Sequence, residues 1–390
     1  MISVTDKKNC CGCTACVNAC PVSCIKMERD SEGFLYPQVN TDLCINCGKC
    51  DKVCPLLNKT DLPFPEKAFI LRNNDAQTVK TSTSGGAVSV FASKIISGGG
   101  VVFGGAFGKN YYVEHRRAET EEELKMFKSS KYVQCDPRDS FAEVKRELSS
   151  GRLVMFTGTP CQVAGLKSYL SKPFDNLFTV DFVCRAVPSP KAWDRYREFS
   201  EQKYGSKLSY ACFREKTYGY HSSNMSLRFE NGKKYLGNTH TDPYLKSFFD
   251  GMNIRPSCFD CAFRQAGRVS DLTVFDCWNI TRYVPSVKDD DKGYTACFVQ
   301  SKKGEEMLNK CSGDLTKYSA DAELLVKHCG HMAVQNPKPH PKRAEFFEML
   351  GENQPIDTII NKLSPVQTKH RVFDKLKPVL YRTGLLKLVK

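Results

Sequence analysis

Cys10, Cys13, Cys16 and Cys20, followed by Pro21, form the run C-x2-C-x2-C-x3-C-P, and Cys44, Cys47, Cys50 and Cys54, followed by Pro55, repeat it. Three thiolates at two-residue gaps wrap one face of a cubane iron–sulfur cluster, while the fourth reaches across to its neighbour. The repeat predicts two 4Fe-4S clusters, one on Cys10, Cys13, Cys16 and Cys54, the other on Cys44, Cys47, Cys50 and Cys20. Zinc sites use four ligands in paired C-x2-C units, which these runs overshoot. Gly12 and Gly48 fit loops that fold tightly against inorganic sulfur. Cys11 and Cys24 fall outside the spacing and read as small buried hydrophobes.

Two further groups of residues carry chemistry. Ser82-Thr83-Ser84-Gly85-Gly86 precedes the helical run after residue 86, and Gly158-Thr159-Pro160-Cys161-Gln162 links a strand to a helix starting near residue 161. Free backbone N–H groups at a helix start attract anions such as nucleotide phosphates, although either stretch also reads as a simple cap and turn. Cys161 and Cys184 stand alone in sequence, whereas Cys258 and Cys261 form a C-x2-C pair. Together they have the ligands for a third cluster or a structural zinc, or they are unliganded thiols. Neither a Walker loop nor G-x-G-x-x-G is present.

These residues need elements to position them. Strands are predicted over Ala68–Leu71, Val101–Ala106, Leu153–Thr157 and Phe178–Val183, with helices near 86–97, 139–150 and 161–171, an alternation typical of an α/β core. Gly33 to Val39 reads as a hairpin strand between the two cysteine runs. The stretch Asn58 to Glu66, with Pro63 and Pro65, reads as a linker. Tyr218 to Thr241, with His221 and His240, suggests a substrate-facing hairpin.

Ser84-Gly85-Gly86, Ser130-Lys131-Tyr132-Val133-Gln134, Gly158-Thr159-Pro160-Cys161-Gln162, Arg255-Pro256-Ser257-Cys258 with Cys261, and Ser270 to Trp278 occur in this order. The ordered set resembles the coenzyme F420 hydrogenase/dehydrogenase beta-subunit family over roughly residues 1–330. The resemblance implies an α+β ferredoxin-like module followed by an α/β flavin-binding domain. Ser84, Gly85 and Gly86 would then hold FAD phosphates, Lys131 would lie near the flavin, and Gly158, Thr159, Pro160 and Gln162 would line the same pocket. A cation beside the isoalloxazine stabilises its reduced form. The resemblance also favours a third 4Fe-4S cluster on Cys161, Cys184, Cys258 and Cys261. Two segments depart from the family pattern. Phe275-Asp276-Cys277-Trp278-Asn279 stands for Gly-Asp-Phe-Trp-Gly, and Cys184-Arg185-Ala186 for Cys-His-Gly, with loss of backbone freedom expected where glycine is missing.

The chain divides into a two-cluster ferredoxin domain (1–60), the two parts of the flavin domain (61–150 and 151–337) and a basic tail (338–390). Of the net charge of +14, the tail carries 11 basic and 5 acidic side chains. No nucleic-acid motif accompanies it. Its apolar residues, interleaved with lysine and arginine, suit packing on the main domain or peripheral membrane contact, with Pro378 and Gly384 as interruptions. No apolar run approaches the roughly 20 residues of a membrane span, the start MISVTDKK lacks a secretory pattern, and a cytoplasmic protein with reduced thiols is expected. The functional expectation is an iron–sulfur flavoprotein oxidoreductase that passes electrons between its clusters, FAD and a redox partner protein or small-molecule acceptor. The alternative is an electron-transfer or docking subunit without a substrate site.

Overall fold

Short apolar runs such as Val154-Met155-Phe156 are buried on both faces and form the centre of a sheet, as expected of parallel strands covered on each side. A computed structural model describes residues 1–388; Val389 and Lys390 of the expected tail lie outside them. The first hairpin pairs β1 (Ile25–Arg29) with β2 (Leu35–Val39) inside the ferredoxin module. The main sheet uses β3 (Lys67–Asn73), β4 (Val101–Phe107), β5 (Val113–Ala118), β6 (Val154–Gly158) and β7 (Leu177–Phe182). A separate sheet holds β8 (Leu208–Glu215), β9 (Asn224–Phe229) and β10 (Lys234–Gly237). The chain then returns to the main sheet with β11 (Leu272–Cys277), β12 (Tyr294–Val299) and β13 (Leu315–Ala320).

The order of the main sheet is β13-β3-β12-β11-β7-β6-β4-β5. Its central strands β11, β7, β6 and β4 run parallel, and antiparallel strands flank them on both sides, so the α/β expectation resolves into a mixed sheet. The helix Ala87–Ser97 packs Phe91 and Ile95 on one face, and Pro160–Leu170 packs Val163 and Leu166 on the other. Each expected strand and helix lies within two residues of its predicted bounds. No helix among the described residues is long and apolar enough to cross a membrane.

Of the two expectations for the tail, the structure shows packing on the main domain. The helices Arg343–Gly351 and Ile356–Leu363 bury Phe346, Leu350, Ile356 and Ile359 in the cluster that also contains Trp193 and Tyr244. The helix Thr368–Arg382 then runs through Pro378 rather than stopping at it, ending just before Gly384 at φ +74°. Proline removes one backbone donor but leaves the surrounding turns intact.

The ferredoxin module is built into this body. Phe34 and Tyr36 of its hairpin belong to the core around Trp193, and Cys13 packs against Gly165, where an added Cβ would come within 2.8 Å of the Cys13 sulfur. Glu32 pairs with Arg343 at the base of the tail, and Asn18 Nδ2 donates to Arg138 O at 3.0 Å. Arg255 is fully buried, donates from Nε to Cys10 O at 2.9 Å and from Nη2 to Leu35 O at 3.0 Å, and lies 4.0 Å from the Tyr36 ring centre. Replacing it strands two buried carbonyls. Arg255→Met is therefore expected to destabilise the chain by roughly 2–5 kcal/mol and to loosen residues 1–60 first. Urea unfolding with limited proteolysis measures this, and a shift below about 0.5 kcal/mol would disprove the anchoring role.

Candidate functional site

The two cysteine runs fold over one another as their crossover requires. Cys20, Cys44, Cys47 and Cys50 line one small pocket, so the fourth cysteine of the first run joins the first three of the second. Burial works against ionising Cys20, yet the backbone N–H groups of Val22, Cys24 and Ile25 and the Cys24 thiol together hold it below its ordinary range. At the other site burial, with the nearby sulfurs of Cys10 and Cys54, pushes Cys16 up to about 12. Left-handed residues Gly12 and Thr14, and Asn46 and Gly48, turn the two loops tightly enough to aim successive cysteines inward. Buried Arg255 has an unpartnered Nη1 and lies against the Gly12 loop. A donor left unsatisfied beside thiolates fits an anionic cluster.

Cys24 and Cys11 are more than packing. The Cys24 sulfur lies 3.4 Å from that of Cys20. Burial and the neighbouring thiols of Cys13 and Cys161 act on the ionisation of Cys11, which lines the same cavity as Cys161. One loop of the ferredoxin module therefore reaches the region of the second group of cysteines.

The members of that second group lie within electrostatic reach of one another. Cys161 opens the helix Pro160–Leu170, Cys184 follows β7, and Cys258 and Cys261 occupy the turn after Arg255. Burial and the sulfurs of Cys261 and Cys161 push Cys258 up to about 12, and burial with Cys258, Cys161 and Cys261 raises Cys184. Crowded thiols make each other hard to ionise, and a bound metal core supplies the positive charge that relieves this. Three arginines ring the nest. Arg264 donates to the carbonyls of Cys184, Arg185 and Met332, Arg268 to that of Phe263, and Arg255 stands within electrostatic reach of Cys258. Among the described residues no three Cys, His, Asp or Glu side chains gather closely enough to hold a single metal ion. A cubane spreads its ligands over four iron atoms and does not need that closeness.

Beside the nest is a cavity of about 1020 Å³. It opens at the carboxyl ends of β6, β7 and β11, where parallel strands of α/β sheets characteristically present their ligand sites. Ser84, Gly86, Lys131, Gly158, Thr159 and Gln162 line it, whereas Gly85 and Pro160 lie behind its wall. Gly85 N donates to Thr295 Oγ1 at 3.0 Å, and a Cβ on it would meet Leu71 O at 2.6 Å. Glycine is therefore needed for close packing, and its amide is already engaged.

The two glycine-rich junctions differ. Gly86, at φ +77°, starts the helix Ala87–Ser97 with no side-chain cap, so its first-turn N–H groups face the cavity without a protein acceptor from the capping residue. The helix Pro160–Leu170 carries its own capping box, in which Gln162 Oε1 accepts from Thr159 N at 3.0 Å. The first junction suits a phosphate and the second is a self-contained cap.

Lys131 is not a solvated surface lysine. Its Nζ donates to Met126 O and Lys128 O, both at 2.9 Å, and burial lowers its pKa to about 8. Opposite it, Arg214 pairs with Asp276 and lies 5.1 Å from the Trp278 ring, which stacks on Tyr220 at 4.6 Å. The hairpin β9–β10 and its flanks bring His221 and His240 to the cavity, as expected, and the tail adds His370, Phe373 and Lys377. Loss of glycine at Asn279 leaves the backbone turn in place, since Asn279 itself takes the left-handed conformation at φ +59°. Arg255, Arg214 and the tail residues were silent in the sequence apart from the position of Arg255 beside Cys258.

Residues 151–321 match the family described as coenzyme F420 hydrogenase/dehydrogenase, C terminus of the beta subunit, and residues 9–57 match the 4Fe-4S dicluster domain. A ferredoxin described as 7Fe from Hydrogenibacillus schlegelii is 36% identical over 64 residues, 16% of this chain and 76% of that protein. A ferredoxin from Mycolicibacterium smegmatis is 33% identical over 64 residues, 16% of this chain and 56% of its own length. A chain of the F420-reducing [NiFe] hydrogenase complex from Methanosarcina barkeri superposes with a TM-score of 0.45 at 17% identity, over 79% of this chain and 95% of that one. The chain thus joins a 4Fe-4S dicluster domain over residues 9–57 to the C-terminal region of the coenzyme F420 hydrogenase/dehydrogenase beta-subunit family over residues 151–321.

Proposed function

We propose that the chain is an iron–sulfur flavoprotein oxidoreductase in which FAD occupies the main cavity and a third 4Fe-4S cluster sits between it and the ferredoxin module. The observation that carries this reading is that Cys11, in the ferredoxin loop, and Cys161, in the four-thiol nest, line the wall of the same cavity. Ser84 and Gly86 with the uncapped helix start would take the FAD phosphates, and Lys131 and Arg214 would offset negative charge on the ring. FAD supplies exchange between single electrons and two-electron chemistry when bound. The cationic lining from Lys131, Arg185, Arg214 and Lys377 supports an anionic small-molecule acceptor, with a deazaflavin as one candidate class. The alternative of a subunit that docks on a redox partner draws on the exposed apolar row Val372, Leu376 and Val379 along the last long helix.

Anaerobically reconstituted protein should contain about twelve iron atoms and one FAD, and Cys184→Ala with Cys258→Ala should leave about eight iron atoms. Eight in the parent chain would remove the third cluster, and absence of extractable FAD would remove the reaction centre.

Lys131→Met separates stability from binding. Burial disfavours the charged lysine, so its cost to folding is fully present below the folded-state pKa of about 8 and falls away as pH rises toward the unfolded value. Leaving the Met126 and Lys128 carbonyls unpaired is a cost that does not vary with pH, so the variant's melting temperature relative to the parent's should be higher at pH 6–7 than toward pH 10, while it binds FAD more weakly. A melting difference that stays constant across that range would show that the lysine is not desolvated.

A further inference from the structure

Cys277 closes β11 and Cys329 ends the helix Ala322–His328, two elements far apart in the chain that meet at the cavity wall. The Cys329 sulfur lies against the backbone of Trp278, the residue that follows Cys277, each thiol shifts the ionisation of the other, and both are free. The Cys329 sulfur accepts from Trp278 N at 3.2 Å and lies 2.9 Å from Tyr283 Oη. As a thiol Cys329 can donate to Trp278 O at 3.4 Å, and once it loses that proton the Trp278 amide and the Tyr283 hydroxyl are both placed to donate to the thiolate. Of the pair, only Cys329 lines the cavity, and Cys277 is 1% exposed.

We infer that Cys277 and Cys329 form a redox-active dithiol, with Cys329 as the attacking thiolate and Cys277 as the resolving thiol, that reduces a small disulfide admitted through the main cavity. This goes beyond the proposed electron-transfer role and does not depend on bound flavin. The Cys329 thiolate attacks one sulfur of R–S–S–R, forming a mixed disulfide and releasing one thiolate, which takes a proton. Cys277 loses its proton and attacks the Cys329 sulfur, breaking the bond to the second R–S group, which leaves as thiolate and is protonated. The dithiol is oxidised by two electrons to a Cys277–Cys329 disulfide, and the substrate is reduced to two thiols.

The electrostatics agree with this order. The neighbouring Cys277 thiol lowers Cys329 to about 7 against the opposing effect of burial, with further help from Tyr283 and the Trp278 amide, while Asp276 acts in the other direction. Cys277 is raised by the neighbouring Cys329, by burial and by Asp289 and Asp276. Arg282 faces Tyr283 from the same turn, and Lys327 and His328 precede Cys329 on its helix. The near absence of exposure at Cys277 restricts the oxidant to a small molecule rather than a protein disulfide.

The test equilibrates the full-length, iron-loaded protein anaerobically with mixtures of oxidised and reduced dithiothreitol, alkylates the remaining thiols and maps cysteine peptides by mass spectrometry. A Cys277–Cys329 disulfide should appear in the oxidising mixtures and revert in the reducing ones. Under reducing conditions iodoacetamide should modify Cys329 at least about tenfold faster than the fully buried Cys297. Cys277→Ser should abolish the disulfide while leaving Cys329 available to alkylation. The inference is overturned if both residues stay as thiols in the most oxidising mixture, if Cys329 reacts no faster than Cys297, or if the disulfide appears only in chains that have lost iron.

Discussion

One buried guanidinium, that of Arg255, sits where the three cysteine groups and the two structural units come together. It holds Cys10 and Leu35 of the ferredoxin module by their carbonyls, stacks on Tyr36, and begins the turn that supplies Cys258 and Cys261. A buried cation is costly unless it is hydrogen-bonded and faces negative charge. The 4Fe-4S dicluster domain, whose Cys10 carbonyl Arg255 holds, provides that charge, so the fold around Arg255 and the metal chemistry support each other.

The main sheet sets the rest. Its parallel centre points the ends of β6, β7 and β11 at one volume, and the residues just beyond those ends are Thr159, Cys184 and Trp278. The separate sheet β8-β9-β10 and the tail helices close the other side, carrying Arg214, His221, His370 and Lys377. The site is thus assembled from segments hundreds of residues apart, with the rigid sheet fixing the geometry and the later additions shaping the mouth.

The eight ferredoxin cysteines, the hairpin between their runs and the alternating elements after residue 61 were legible because each depends on local spacing. The nearness of Cys161, Cys184, Cys258 and Cys261 was hinted at by motif order, but only the tertiary fold brings them within electrostatic reach of one another. The tail's mix of apolar and basic residues leaves packing and membrane contact both open in the sequence, and Phe346, Leu350, Ile356 and Ile359 decide where it packs. The difference between the two glycine-rich junctions was likewise hidden. Gln162 three residues after Thr159 is a capping-box signature, and it marks a helix start that satisfies itself rather than one left open for a ligand.

The stitching of the ferredoxin module into the body, through Glu32 with Arg343, Asn18 with Arg138 and Cys13 against Gly165, has a kinetic meaning. Carrier domains on flexible tethers shuttle by diffusion, and their turnover slows as the medium thickens. Here the first cysteine loop already packs on the helix that Cys161 opens, and Cys11 and Cys161 line one cavity in the resting fold. A module fixed in this way has no swinging motion to make, so its electron exchange with the body would depend on fixed separations and on the surroundings of the sulfurs rather than on the viscosity of the medium.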